Sequence, residues 1–233
     1  QPRDKPMITT LLPALGLGFL VGFRHAFEPD HLAAVTTMAS HEHGVARAAR
    51  LGVAWGIGHT LSVGLVAVVL VTLGVHVPER FHTVAELGVA LMLIVLGVGT
   101  LVADLRRPRR IHDVKDAGRH DQNTIGTHIK ESRAFTGNPR ALGFGILHGL
   151  AGSGAVIVLA VAAATDQRTQ LSYLGAFGVG SIAGMAMVSA LSGATAGLVG
   201  RTHAPALRYV RWGAAGLSAV VGVMLGTEVL QSW

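Results

Sequence analysis

Cysteine is absent from this chain, and charge is scarce: only 14% of its 233 residues are Asp, Glu, Lys or Arg, against about 25% in an ordinary soluble domain. Without thiols there can be no disulfide, iron–sulfur cluster or thiol redox relay, and a soft-metal site built on thiolate is excluded. A G-x4-G-K-[ST] phosphate loop is missing too. The glycine-rich stretch at 149–154 lacks the lysine such a loop needs, so the chain hydrolyses no nucleotide itself. What fills the sequence is hydrocarbon, with half of the residues apolar and a mean hydropathy of +0.50.

Uncharged runs set the class. Residues 51–78, 141–165 and 169–200 each exceed the roughly 20 residues needed to cross a bilayer. The runs at 7–23, 87–103 and 212–227 are shorter but adequate once their flanks are counted. The expectation is an all-α integral membrane protein with six transmembrane helices. The first run lacks a clean cleavage site and leads straight into polar chemistry, so it is not read as a secretory signal. The chain opens on Gln1, which implies further residues upstream.

A net charge of +6 raises the question of nucleic acid, and its placement answers it. If the first span runs inward, fourteen Lys and Arg fall on the inner side and only Arg3, Lys5, Arg80 and Arg168 on the outer. That is the positive-inside bias of a cell-membrane (cytoplasmic-membrane) protein. It puts both termini outside and implies no nucleic-acid partner. The polar stretch 105–137 reads as a basic cytoplasmic loop, carrying His112, His120 and His128.

This loop divides two three-span halves, 1–104 and 138–233, which look like copies. Gly22-Phe23-Arg24-His25 with Asp30 parallels Gly145-Ile146-Leu147-His148 with Ser153, and Gly58-His59 parallels Gly180-Ser181. An odd number of spans per half inverts the second copy. Inverted repeats of this kind build secondary transporters, with the substrate site at mid-membrane where the repeats meet. Glycines four apart, such as Gly52 and Gly56 or Gly180 and Gly184, suit close helix packing in lipid.

The chemistry lies in His25-Ala26-Phe27-Glu28-Pro29-Asp30-His31. Ionisable groups at membrane depth are costly and mark function, and imidazole with carboxylate is a donor set for a borderline divalent cation. On a straight helix His25, Asp30 and His31 would point roughly 140° and 100° apart in succession. Pro29 is expected to break the helix, let the three converge and release the carbonyl of His25. Arg24 stands four residues from Glu28, so the two can pair, leaving Asp30 to the metal. The alternative pairs Arg24 with Asp30. His59 and His148 are the further candidate ligands. His41-Glu42-His43 reads as an interfacial polar end, and His76, His82 and His203 carry no signal.

The segment Arg24-His25-Ala26-Phe27-Glu28-Pro29-Asp30-His31-Leu32 resembles the H-x4-D-H signature of the nickel/cobalt transporter family, and Gly58-His59-Thr60-Leu61-Ser62-Val63 is similar to its second motif. Span count and Leu147-His148-Gly149-Leu150 look closest to the shorter, urease-accessory UreH-like or NicO-type branch. Pro29 and Glu28 depart from the family's usual Ala and Asp, and the acidic later motifs of larger members have no counterpart here. The resemblance implies a permease for Ni2+ or Co2+ acting through His25, Asp30, His31 and His59, with a link to maturation of a nickel enzyme, urease or hydrogenase. The metal is then cargo bound transiently, and no resident cofactor is expected. Uptake is the expected direction, with efflux as the alternative. A second alternative, from another class, is a rhomboid-like intramembrane serine protease using Ser153. It lacks a histidine in the sixth span and leaves H-x4-D-H unexplained.

Overall fold

A computed structural model describes residues 8–42, 44–73, 79–106, 139–163, 166–202 and 204–231, with side chains withheld at 8–10, 71, 79, 81–82, 152–163, 201–202 and 204–205. The loop histidines His112, His120 and His128, together with His43, His76 and His203 and the side chains of His82 and Ser153, lie outside the described residues. Seven helices make up the described chain: α1 (Ile8–His25), α2 (Pro29–Ala39), α3 (Val45–Leu73), α4 (Glu79–Arg106), α5 (Pro139–Ala163), α6 (Gln167–Thr202) and α7 (Ala204–Gln231). Among the described residues, four segments are long and apolar enough to cross a membrane: Val45–Leu70, Thr83–Arg106, Gln167–Gly200 and Ala206–Gln231. Leu11–His25 is a shorter apolar helix. Exposed Leu61, Leu65, Leu91, Val95, Leu191 and Leu217 spread apolar side chains over the outer surface, which suits lipid rather than water.

The element count differs from six because the first apolar run is broken. Phe27 and Glu28 donate backbone N–H bonds to Arg24 (2.9 Å) and His25 (3.0 Å), ending α1 in a tight turn. Glu28 is extended (φ −62°, ψ 146°), and Pro29 opens α2, the position where its missing N–H costs nothing. The His25 carbonyl, expected to be released by Pro29, therefore accepts the Glu28 N–H. Asp30, in the first turn of α2, sits at the positive end of the helix dipole. Gly44 turns the chain into α3 with φ +125°, a conformation that strains residues bearing a side chain.

Packing places α6 at the centre, against α1 and α3. α5 lies along α3, α4 along α7, and α2 among α4, α6 and α7. Glycine makes the tightest crossings. A Cβ on Gly22 would overlap the Phe177 carbonyl and one on Gly180 the Phe19 carbonyl, joining α1 to α6. Gly145 and Gly58 stand likewise against the Trp55 and Leu142 carbonyls, joining α3 to α5. Gly97 and Gly222 meet Ala215 and Ala90, joining α4 to α7. Hydroxyls tie the helices further: Thr37 donates to the Ala214 carbonyl (2.9 Å) and Ser218 to that of Leu93 (3.0 Å). At one end, Asp104 of α4 accepts from Trp212 Nε1 (2.8 Å) and faces Arg208 Nε (3.4 Å) and Arg211 (3.9 Å). Arg211 Nε also donates to the Ser40 carbonyl that ends α2 (3.3 Å).

Candidate metal centre

The break between α1 and α2 puts His25 at one helix end and Asp30 with His31 at the start of the next. α3 brings His59 and α5 brings His148 to the same place. Ring centroids are 4.4 Å apart for His25 and His31, 5.1 Å for His31 and His59, 5.2 Å for His25 and His59, and 4.0 Å for His31 and His148. His31, His59 and His148 are at most 1% exposed and His25 8%. All five residues singled out from the sequence thus meet in one cluster drawn from four helices, the histidines buried and Asp30 half-buried.

Two groups within it have the spacing of a metal site: His25 with His31 and His59, and Asp30 with His31 and His148. Asp30 joins the second group. Its Oδ1 accepts the His31 backbone N–H (2.9 Å) and lies 3.1 Å from His31 Nδ1, while Oδ2 lies 3.0 Å from His148 Nε2. The opposite ring atoms, His31 Nε2 and His148 Nδ1, have no partner, nor does His25 Nε2 or either nitrogen of His59. A buried polar atom left unpaired costs about 1–3 kcal/mol. Five such nitrogens gather in this one cluster, where each is free to act as a donor to a cation. Nitrogen and oxygen donors without thiolate are a donor set that fits Ni2+ and Co2+.

Glu28 does not pair with Arg24. Its Oε2 lies 2.9 Å from His25 Nδ1, orienting the ring so that Nε2 points inward, as carboxylates behind metal-bound histidines do. Arg24 is exposed and pairs with neither Glu28 nor Asp30. Ser181, the counterpart of His59, is outside the centre and donates to the Gly22 carbonyl (3.2 Å). His41 and Glu42 lie in the turn after α2.

Sequence reasoning missed the walls. Phe177 lies 5.4 Å from the His25 ring and Trp55 5.7 Å from that of His148, and both aromatics are fully buried. One signal was available: Trp55 and Phe177 occupy matching places in the two halves, three residues before Gly58 and Gly180.

Apolar helices enclosing a cluster of histidines and a carboxylate define a multi-pass membrane protein with ionisable side chains gathered in its interior. Residues 11–197 match the NicO family, described as high-affinity nickel-transport protein. The chain belongs to that family: it is a nickel transporter, not an enzyme, which removes the protease alternative. It is also 29% identical over 186 residues, 78% of this chain and 77% of the relative, to the urease accessory protein UreH of Bacillus sp. strain TB-90. No solved structure matches it.

Proposed function

We propose that this permease takes up Ni2+, with Co2+ as a second substrate, through a centre made by His25, Asp30, His31, His59 and His148. The observation that carries the reading is the cluster itself: four buried histidines with five unpartnered ring nitrogens, two of the rings also bound to Asp30. Uptake requires no fuel beyond the membrane potential. About 2.3 kcal/mol per charge per 100 mV, doubled for a dication, drives the ion inward. The excess of Lys and Arg in the inner loops supports termini outside and the 105–137 loop inside the cell membrane. The name of the UreH relative supports a role in supplying metal for urease maturation.

The architecture is that of two inverted three-helix repeats, 1–104 and 138–233, counting α1 and α2 as one span. The glycine crossings support it. Gly22 on Phe177 corresponds to Gly145 on Trp55, Gly180 on Phe19 to Gly58 on Leu142, and Gly97 on Ala215 to Gly222 on Ala90. Each contact has its mate when the halves are exchanged, as a two-fold axis in the membrane plane requires.

The test is radiolabelled Ni2+ and Co2+ flux into vesicles of known orientation, for wild type, His25→Ala and Asp30→Asn. Inward flux abolished by both substitutions is expected. Flux unchanged in both variants removes the site assignment, and flux only outward makes the chain an efflux permease.

A further inference from the structure

A neutral imidazole has one N–H and one lone pair, and an ionised carboxylate only accepts. Where a ring of the cluster meets a carboxylate, the proton therefore sits at that contact and the lone pair on the opposite nitrogen. His31 donates Nδ1–H to Asp30 Oδ1 (3.1 Å), which also takes the His31 backbone N–H, and His148 donates Nε2–H to Oδ2 (3.0 Å). His25 donates Nδ1–H to Glu28 (2.9 Å). The lone pairs then stand on His31 Nε2, His148 Nδ1 and His25 Nε2, and these are the nitrogens that have no partner. Both nitrogens of His59 are unpartnered, so it offers a lone pair whichever one carries the proton.

The two groups of possible ligands differ in what holds them together. Asp30, His31 and His148 are close because Asp30 is hydrogen-bonded to both rings, and both of its oxygens are already taken by N–H groups. His25, His31 and His59 have no such bond between them, yet one nitrogen of each lies within 4.8 Å of the others. Their ring centres are 4.4, 5.1 and 5.2 Å apart. Imidazoles sharing one ion, with metal–nitrogen bonds of about 2.1 Å and angles of about 90–110°, bring their ring centres to about 4.5–5.3 Å. His148 departs from that spacing on both sides, at 4.0 Å from His31 and 6.0 Å from His59.

We propose that three imidazoles hold the ion, through His25 Nε2, His31 Nε2 and one nitrogen of His59, and that Asp30 and Glu28 are positioning residues behind the rings rather than ligands. The inference rests on the permease reading above and refines it. Asp30 fixes the proton of His31 at Nδ1 and orients the ring, Glu28 does the same for His25, and His148 braces Asp30 from α5. A carboxylate in that place also raises the basicity of the imidazole it bonds. Imidazole suits Ni2+ and Co2+, whereas Mg2+ and Ca2+ take oxygen ligands, so the cradle favours the borderline cations over the hard ones.

The experiment loads the detergent-solubilised chain with Ni2+ and counts bound imidazoles by X-ray absorption, in which the rings leave a multiple-scattering signature. Three are expected in the wild type, two in His59→Ala and three still in His148→Ala. His59→Asn repeats the His59 arm if the alanine variant shows no thermal unfolding transition. Asp30→Asn should weaken Ni2+ binding by about tenfold or more, since its bonds to the rings lose their charge. The imidazole count should nevertheless stay at three, and the visible bands of bound Co2+ should keep their positions. A count that follows His148 instead of His59, four imidazoles in the wild type, or Co2+ bands displaced in Asp30→Asn overturns the three-imidazole cradle. Wild-type protein that binds no Ni2+ overturns it as well. A wild type that binds Ni2+ through three imidazoles but carries none across vesicle membranes overturns the permease reading instead, so the two failures are distinct.

Discussion

Asp30→Asn tests the centre most directly, because one carboxylate meets two imidazoles there. Oδ1 lies 3.1 Å from His31 Nδ1 and Oδ2 3.0 Å from His148 Nε2. The amide keeps the size and one acceptor, so the His31 backbone N–H can still be received. It loses the charge. Hydrogen bonds to a charged group are worth about 1.5–3 kcal/mol each, and neutral ones about half of that. Converting both contacts therefore removes about 1.5–3 kcal/mol from the arrangement that receives the ion. At about 1.4 kcal/mol per decade, Ni2+ affinity should fall by a factor of about 10 to about 150. The lost attraction of one negative charge for a dication adds to this, so the figure is a floor. Equilibrium binding to purified protein measures it, with the thermal midpoint as control for folding. A folded Asp30→Asn protein that binds Ni2+ within about threefold of wild type would refute the reasoning and remove Asp30 from the centre.

Gly145→Val should destabilise by about 1–3 kcal/mol through overpacking, since even a Cβ there overlaps the Trp55 carbonyl. Gly64→Ala, with nothing within 4 Å of the new atom, should leave the thermal midpoint level or raised. Equal loss in both would deny the close crossing of α3 and α5. Asp104→Ala leaves Arg211 and the Trp212 indole without their carboxylate and should cost about 3 kcal/mol, read as a lowered thermal midpoint and a shifted Trp212 emission. Asp166 caps α6 by accepting the Thr169 backbone N–H (2.9 Å), and its bonds to Thr169 hold its carboxyl below the ordinary 3.8. A depressed acid stabilises the folded state above that value and loses this contribution as pH falls through the lower folded pKa. The stability gap between wild type and Asp166→Asn should accordingly be full near neutrality and close in strong acid. A gap independent of pH would count against the cap.

Much of this was legible from residues alone, for reasons that are local. Hydrocarbon cannot satisfy a free backbone N–H, so long uncharged runs such as 169–200 have to be helices, and α6 and its neighbours are. Proline lacks the N–H that an unbroken helix needs, so the interruption before Pro29 was readable in advance. The cost of burying imidazole and carboxylate drew attention to His25, Asp30, His31, His59 and His148 with no coordinates at all. Pairings were not legible. Arg24 and Glu28 have the spacing of a helical ion pair, but the turn at 26–28 ends the helix between them and delivers Glu28 to His25.

By itself, then, the sequence determined that the chain is helical and apolar, where its first helix breaks, and which residues had reason to gather. Only the tertiary structure decided which nitrogens stay unpartnered, that Asp30 spans His31 and His148, and that Phe177 and Trp55 wall the cluster. Those outcomes depend on how each helix is rotated and shifted against the next. That is set by glycine contacts such as Gly22 on Phe177, between residues far apart in the chain, and such contacts exist only once the helices have packed.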